Sequence, residues 1–264
     1  SRAIESFVNA IGHEAPQAAG IEDISHESTG IKKYTGFSII KSQVEGDERS
    51  ITEISPDIAV CDACLHDMKQ QPHRIGYPFI NCTNCGPRFS IIRDLPYDRE
   101  KTTMDVFPMC SQCRMEYEDI SDRRYHAQPV ACNHCGPSYN YFDGSRHIEG
   151  HKDILSRAAE DIDKGKILAI KGMGGFHLVC DALNEKAVGR LRAGKKRYGK
   201  PFAVMFHSLD VLEKYALLGE AEKQTLTSWR RPIVLLKDKK KLALSVNAGF
   251  VTTGAVLPYM PFHY

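Results

Sequence analysis

The chain has 264 residues, a formal net charge of +2 and 26% charged residues, so its overall composition does not indicate a nucleic-acid or membrane partner. Hydrophobic residues make up 42% of the sequence, enough to bury a core, and the length favours two or three modules over one uniform globule. No signal peptide or transmembrane run is visible, so we expect a cytoplasmic protein.

Residues 1–50 form the first predicted segment. Ile4, Phe7, Val8 and Ile11 share one face of a predicted helix, and strand patterns follow at residues 21–25 and 36–40. One helix and two strands are too few to bury both faces of a sheet. We therefore expect this segment to be the end of a larger unit.

Residues 51–145 form the second segment, which contains eight of the nine cysteines in four Cys-x-x-Cys pairs. A Cys-x-x-Cys turn presents two sulfurs on one side of a bend, and two such turns supply the four ligands of a tetrahedral zinc ion. Disulfides are the weaker interpretation without a secretory signal, and four redox-active pairs would be redundant. We predict two structural Zn²⁺ sites made of Cys61, Cys64, Cys82, Cys85, Cys110, Cys113, Cys132 and Cys135.

The spacing of these pairs is an internal repeat. The first pair recurs after 49 residues and the second after 50, and both second pairs are followed by Gly-Pro, at Gly86 and Gly136. The simplest arrangement is one zinc per repeat, although the sequence also permits a nested or crossed pairing. A glycine at this position suits a positive φ. Four nearby histidines could replace a thiolate but are not needed: His66, His73, His126 and His134.

Residues 146–264 form the third segment, in which helical and strand patterns alternate as in an α/β domain. Helices are predicted around residues 154–162, with Gly165 as a C-terminal cap, and around residues 184–192. Strands are predicted at residues 166–171, 202–206, 232–237 and 250–256. The ninth cysteine, Cys180, is expected to be a small core residue.

Two features of the third segment could bind phosphate. The glycine-rich loop at residues 172–175 follows an apolar strand, although it matches neither dinucleotide nor Walker patterns and could be a plain tight turn. Four cations within six residues, Lys195, Lys196, Arg197 and Lys200, precede the next strand. A solvated charged loop would look similar. Together, however, the two features favour a nucleotide triphosphate pocket over a nucleic-acid surface, which would need more interleaved aromatic residues.

Several motifs resemble the HypF family of hydrogenase-maturation carbamoyltransferases. They include Tyr-Pro-Phe-Ile-Asn-Cys-Thr-Asn-Cys-Gly-Pro-Arg-Phe at residues 77–89, Arg-Tyr-His-Ala-Gln-Pro at 124–129, Ile-Lys-Gly-Met-Gly-Gly-Phe-His-Leu at 170–178 and Lys-Pro-Phe-Ala-Val-Met at 200–205. The resemblance extends from about residue 5 to the last residue. Its motifs are most specific in the cysteine-rich segment.

The resemblance implies a multi-domain α+β protein. Residues 1–50 would be the C-terminal part of a ferredoxin-like acylphosphatase unit, and residues 51–145 would be tandem zinc fingers with four cysteine ligands each. Residues 146–264 would be an α/β YrdC-like nucleotide-binding domain that is incomplete at its C-terminus. The arginine-containing phosphate loop of the first unit and a final transferase domain have no counterpart here.

The resemblance also implies a reaction. In the family, ATP with Mg²⁺ activates carbamate, which comes from carbamoyl phosphate, to carbamoyl adenylate. The carbamoyl group then passes to a C-terminal cysteine of HypE. The resulting thiocarboxamide becomes the cyanide ligand of [NiFe] hydrogenases. By position in the motifs, the residues expected to bind ATP are Lys171, Gly174, Gly175, Lys195, Arg197 and Lys200, and His177 could contact carbamate or simply pack. Lys196 falls at a variable position of the family motif. Gly194 stands where the family usually has a charged residue, which weakens the match between the cationic loop and the family.

Two other functions fit part of the sequence. A zinc-dependent module could dock a partner protein without catalysis, and absence of nucleotide binding would favour it. A YrdC-like protein could also associate with RNA, in which case its RNA affinity would depend steeply on salt. The near-neutral net charge argues against the RNA alternative.

Overall fold

A computed structural model of the chain describes residues 2–16, 18, 19, 21, 23–27, 30, 54–240 and 242–264. These residues form a helix near the N-terminus, a cysteine-rich region with little sheet, and an α/β region. The mixed α+β class predicted from the sequence is confirmed. Within the described part of the chain, no helix combines the length and the apolar character needed to cross a bilayer.

The first helix, α1 (Arg2–Glu14), confirms the helix predicted from the apolar pattern. Its apolar face is exposed, with Phe7 66% accessible. The strand predicted at residues 21–25 is absent from the described residues of that stretch, which have no strand partner. The strand predicted at residues 36–40, and with it most of the acylphosphatase-like unit, lies outside the described residues.

The cysteine-rich region is built from two similar short helices, α2 (Asp62–Gln70) and α3 (Ser111–Glu118). Each helix begins immediately after the first cysteine of its repeat, so that Cys61 and Cys110 are the N-cap residues. The positive end of a helix dipole favours the thiolate form of cysteine. Two 3-10 turns complete the regular structure here, Pro72–Arg74 and Arg99–Lys101.

The core of the cysteine-rich region includes the cysteines themselves. Cys64, Cys82 and Cys85 are fully buried and pack with apolar neighbours such as Tyr77 and Ile80. Because the buried cysteines belong to this core, a metal ion bound by them would stabilise the packing of the whole region.

The α/β region follows the predicted alternation of helices and strands. Its helices are α4 (His151–Asp163), α5 (Glu185–Gly194), α6 (Leu209–Leu212), α7 (Glu220–Thr227) and α8 (Leu244–Asn247), with a 3-10 turn at Pro261–His263. Its strands are β1 (Tyr141–Phe142), β2 (His147–Ile148), β3 (Leu168–Gly172), β4 (Gly175–Val179), β5 (Ala203–Met205), β6 (Val234–Lys237) and β7 (Thr252–Val256). The four predicted strands correspond to β3, β5, β6 and β7.

The strands form three separate sheets. β1 pairs with β2 and β3 pairs with β4, both antiparallel, while β5, β7 and β6 form a mixed sheet with β7 in the centre. β7 is parallel to β5, with Val204 opposite Ala255, and antiparallel to β6. The main core of the α/β region lies on this sheet and includes Leu212, Leu226 and Val246, all fully buried.

Two helices of the α/β region end in the same hydrogen-bond pattern with different residues. After α4, the N–H groups of Gly165 and Lys166 donate to Ile162 and Asp161, and Gly165 has a φ of 76°, as predicted for a glycine cap. After α5, Lys196 takes the equivalent position with a φ of 49°. A lysine pays a steric cost in this left-handed conformation that glycine does not.

The cysteine-rich and α/β regions are in direct contact. The N–H of Ala59 donates to the carbonyl of Trp229 at 3.1 Å, and the N–H of Val60 donates to the carbonyl of Tyr259 at 3.0 Å. The hydroxyl of Tyr139 donates to the carbonyl of Lys171 at 2.7 Å. These contacts place the residue next to Cys61 against the C-terminal part of the α/β region.

Candidate metal centres and nucleotide site

The structure brings the eight paired cysteines into two clusters of four, one per repeat. Cys61, Cys64, Cys82 and Cys85 form the first cluster, and Cys110, Cys113, Cys132 and Cys135 form the second. Neighbouring sulfurs lie 3.6–3.8 Å apart in the first cluster and 3.6–3.7 Å apart in the second. Four sulfurs at about 2.3 Å from a tetrahedral zinc ion would be about 3.8 Å apart. Disulfides, with sulfurs about 2.05 Å apart, do not match these distances.

Backbone donors point at equivalent sulfurs in the two clusters. The N–H of Asn84 donates to Sγ of Cys82 and the N–H of His134 donates to Sγ of Cys132, both at 3.4 Å. Such donors stabilise the thiolate form that binds metal. They come from inside the Cys-x-x-Cys turns and not from the glycines that follow.

The two glycines after these turns share one steric constraint and differ in a second feature. A Cβ at Gly86 would lie 2.6 Å from Cβ of Asn81, and a Cβ at Gly136 would lie 2.7 Å from Cβ of Ala131. Gly86 has the expected positive φ, 99°. Gly136 does not, and the prediction is wrong there. A Cβ at Gly136 would lie 1.9 Å from the hydroxyl oxygen of Tyr77, which is 1% exposed. The second turn therefore needs a glycine because a buried tyrosine of the other repeat lies against it.

No histidine belongs to either four-cysteine cluster in the described residues. His73 is the nearest candidate, because its ring, Cys113 and Glu116 present ligand atoms within 4.8 Å of one another. Arg74 fills this space and donates to Glu116 and to Sγ of Cys113. A guanidinium cation in contact with both groups leaves no room for a metal ion there. Burial and the charge of Arg74 lower the pKa of His73, which favours the neutral form of its ring.

The glycine-rich loop proves to be the turn of a β-hairpin. Gly172 pairs with Gly175 at the end of the β3–β4 ladder, and Gly174 has a φ of 75°. A Cβ at Gly174 or Gly175 would meet nothing within 4 Å. Packing therefore does not require these glycines, although the positive φ favours one at position 174. No helix follows the loop, so its N–H groups have no helix dipole to assist phosphate binding.

The cationic cluster follows the C-terminus of α5. Lys195, Lys196 and Lys200 are exposed, and Arg197 is half-buried. Arg197 donates to the carbonyls of Lys200 and Pro201. Within the described ranges, no carboxylate lies at ion-pair distance from any of these four cations. Part of the cluster is explained by the helix, since cations near a C-terminus interact favourably with its dipole.

A cavity of about 710 Å³ lies between the β3–β4 hairpin and the three-stranded sheet. Its lining is mostly apolar and includes His177 and Phe202. The guanidinium of Arg197 lies 5.3 Å from the centre of the Phe202 ring. Phe202 therefore connects the cationic loop to the wall of this cavity. Cys180 also lines the cavity and packs against the core, and burial raises the pKa of its thiol.

A second cavity, of about 440 Å³, lies between the cysteine-rich region and the hairpin turn. Lys171, Gly174 and Met260 contribute to its wall, and Tyr259 lines both cavities. The Tyr259 hydroxyl lies 3.5 Å from Nδ1 of His177. The ring of His263 contacts Tyr259, and burial together with the nearby His177 lowers the pKa of His263 to about 4.

The structure thus divides the predicted nucleotide-site residues. Lys171 and Gly174 lie at the smaller cavity, and His177 at the larger one. Gly175 lies beside them on the hairpin, while Lys195, Arg197 and Lys200 line neither cavity. Sequence reasoning did not assign a role to Tyr259, although residues 257–263 resemble the family, and it missed the arginines that contact the cysteine clusters. Those arginines have a signal, because they recur at the spacing of the repeat.

Two family models match the chain. The HypF finger matches residues 60–92 and 109–141, which contain the two four-cysteine clusters. The Sua5, YciO and YrdC model, described as telomere recombination, matches residues 160–264. The carbamoyltransferase HypF of Rhodobacter capsulatus is 42% identical over 98% of this chain. The chain belongs to the HypF family.

Other family members support this assignment. The probable carbamoyltransferase HypF of Methanocaldococcus jannaschii is 41% identical over 99% of this chain. A crystal structure of full-length HypF in a phosphate- and nucleotide-bound form superposes with a TM-score of 0.90 at 47% identity, covering all of this chain. That of T. kodakarensis HypF gives 0.85 at 46% identity. The chain spans about a third of the length of these relatives, 34% in each of the four.

Proposed function

We propose that this chain provides the zinc-binding and nucleotide-binding parts of a HypF-type carbamoyltransferase. Two Zn²⁺ ions would be held by the four-cysteine clusters, and the α/β region would activate carbamate with ATP. The relatives that match nearly all of this chain are named carbamoyltransferases, and one was crystallised with phosphate and nucleotide. Their names support the activity of the whole family member, of which this chain spans about a third.

The zinc ions would have a structural role. Each cluster supplies four cysteines, so a tetrahedral ion would have no open position for water or substrate. Cys64, Cys82 and Cys113 are fully buried, which also excludes a substrate. When bound, zinc would supply folding free energy to a region whose buried core contains the ligands.

The observation that carries the nucleotide proposal is the cationic loop beside the larger cavity. Lys195, Arg197 and Lys200 have no carboxylate partner in the described part of the chain. Arg197 lies on Phe202, a residue of the cavity wall. Unpaired cations beside an apolar cavity suit a ligand with a charged phosphate chain and an aromatic base.

Adenylation is the step these groups would serve. A carbamate oxygen attacks the α-phosphorus of ATP, the bond from that phosphorus to the bridging oxygen breaks, and pyrophosphate leaves with the charge. The cations of the loop, with Lys171, would offset that charge, and Mg²⁺ would be expected on the phosphates. Gly174 and Gly175 would allow close backbone approach, and His177, held near Tyr259, would contact carbamate.

The remaining steps concern the family member as a whole. Carbamoyl phosphate would be the source of carbamate, and a HypE-like protein would accept the carbamoyl group at a C-terminal cysteine on the way to the cyanide ligand of [NiFe] hydrogenase. Such a protein is expected in the cytoplasm. Nucleic acid is not an expected partner, since the net charge is only +2.

Isothermal titration of ATP into protein of known zinc content tests the nucleotide proposal. We expect binding with a micromolar Kd that weakens at least about tenfold when Arg197 or Lys200 is replaced by alanine, because each would remove a charged phosphate contact. Lys164→Ala is the matched control, because among the described residues this exposed lysine pairs only with Glu160, on the preceding turn of α4. Absence of binding by the unsubstituted protein would contradict the proposal and favour a docking module.

A further inference from the structure

The two zinc clusters are linked by contacts that each repeat makes to the other. Arg74 lies eight residues before Cys82, and Arg124 lies eight residues before Cys132, so the two arginines are equivalent in the internal repeat. In the same way, Asp67 and Glu116 each follow the second cysteine of their repeat by three residues. The structure shows that these equivalent residues make equivalent contacts in opposite directions.

Arg74, from the first repeat, contacts the second cluster. Its guanidinium is fully buried and forms an ion pair with Glu116, with Nη2 2.5 Å from Oε2. The same nitrogen lies 3.3 Å from Sγ of Cys113, and Nε donates to the carbonyl of Ala131 at 2.9 Å. Ala131 directly precedes Cys132, so Arg74 contacts one cysteine sulfur of the other repeat and the peptide bond next to a second cysteine.

The second repeat contacts the first cluster in the same manner. Nη2 of Arg124 donates to Asp67 at 2.6 Å, and its Nε donates to the carbonyl of Asn81, which directly precedes Cys82. The contact to sulfur comes from the neighbouring Arg123, whose Nη1 lies 3.7 Å from Sγ of Cys64. Both repeats therefore place an arginine nitrogen on the buried second cysteine of the other cluster.

Backbone hydrogen bonds also link each repeat to the other. The N–H of Thr83, inside one Cys-x-x-Cys turn, donates to the carbonyl of Arg123 at 3.2 Å. The N–H of Asn133, inside the equivalent turn, donates to the carbonyl of His73 at 3.1 Å. Each turn is thus attached to the segment of the other repeat that carries the arginine. The contacts have the reciprocal character of a two-fold interface within one chain.

We infer that the two clusters bind zinc cooperatively, because each completes the environment of the other. A zinc ion with four thiolates carries a net charge of −2, and the arginine beside it offsets part of that charge. When one repeat loses its metal and opens, its arginine and backbone contacts leave the other cluster. Loss of such outer contacts typically weakens metal binding about 10–100-fold. The inference assumes the zinc occupancy proposed above but is independent of nucleotide binding.

Native mass spectrometry of the full chain tests the inference without any substitution. Zinc is withdrawn in steps by a chelator, and the proteins carrying two, one and no zinc ions are counted. Independent, equal sites would leave about half of the molecules with one zinc when half of the metal is removed. Cooperative binding predicts that the singly loaded form stays well below that fraction. A singly loaded form at half or more of the molecules would overturn the inference.

Arginine variants test the direction of the contacts. In Arg74→Gln, we expect zinc affinity to fall about 10–100-fold. During zinc withdrawal, an alkylating reagent should modify the second cluster first, or both clusters together. The second cluster consists of Cys110, Cys113, Cys132 and Cys135. Arg123→Gln should act conversely, on the cluster of Cys61. Arg114→Gln is the control, because Arg114 lies on the helix of Cys113 and Glu116 but pairs only with the exposed Glu118 among the described residues. Arg74→Gln behaving like the control, or exposing only the cluster of Cys61, would overturn the inference.

Discussion

Acidification should destabilise the α/β region through His263. Nδ1 of this histidine accepts hydrogen bonds from the N–H groups of Tyr259 and Met260, at 3.4 and 3.3 Å, so protonation of that nitrogen would break both. Burial, followed by the nearby His177, lowers the pKa of His263 to about 4 from an ordinary 6.5. The folded protein therefore resists a proton that the unfolded chain accepts.

The sign and size of the effect follow from these two values. The pKa is lower in the folded state, so the contribution of His263 to stability is complete above about pH 6.5 and is lost as the pH falls towards 4. Between about pH 7.5 and pH 5, this residue alone should lower the free energy of unfolding by at most about 2 kcal/mol. Partial solvent access would reduce that figure.

Urea unfolding of the zinc-loaded protein at both pH values measures this loss. Acid also weakens zinc binding, so the informative quantity is the difference between wild type and His263→Asn, whose amide oxygen can accept the same N–H groups but does not titrate. We expect the variant to lose up to about 2 kcal/mol less than wild type on acidification. His207→Asn, at an exposed histidine, is the control. An identical pH dependence in wild type and His263→Asn would refute the reasoning.

Two further predictions concern backbone positions. Gly136→Ala should destabilise the zinc-loaded protein by about 1–3 kcal/mol in urea unfolding, because the new Cβ would meet the buried Tyr77 and Ala131. Gly194→Ala is the control and should not destabilise the protein, because a Cβ at that position would have no neighbour within 4 Å. Lys196→Gly should raise the free energy of unfolding by about 0.5–1 kcal/mol, because glycine accepts the left-handed conformation after α5 without steric cost. ATP affinity should not change in Lys196→Gly, and a fall in either quantity would contradict this account of position 196.

The cysteine clusters were predictable because their signal is local and chemically specific. Paired thiols at repeated spacing have few alternative uses, and the repeat itself favoured the pairing that the structure shows. Four strands of the α/β region, β3, β5, β6 and β7, were predictable for a similar reason, since each apolar run begins at or just after a Gly or Pro, whereas β4 and the two-residue strands β1 and β2 were not predicted. The glycine-rich loop at residues 172–175 was harder to interpret, because its sequence fits both a phosphate-binding loop and a plain tight turn. In the structure it is the turn of a β-hairpin.

Other features depend on contacts that the sequence does not encode locally. Gly136 follows its cysteine as Gly86 does, but the sequence gives no sign of its shortest contact, which is with Tyr77 of the other repeat. Arg74 recurs as Arg124 at the spacing of the repeat, but its burial and its pairing with Glu116, 42 residues away, do not follow from that spacing. Burial opposes the ionisation of Glu116, but Arg74 holds the pKa of its carboxyl below the ordinary value. Such pairs become visible only once the repeats are folded against each other.

The zinc region also shapes the proposed nucleotide site through one residue. The N–H of Val60, next to the ligand Cys61, donates to the carbonyl of Tyr259, and the side chain of Tyr259 lies between the two cavities and beside His177. Val60 shares one buried core with Cys64, Cys82 and Cys85. With zinc in the first cluster as proposed, removal of the metal would loosen that core and, through the Val60 contact, the backbone at Tyr259. Under the proposed function, the zinc-binding region would then support the nucleotide site without contacting the substrate.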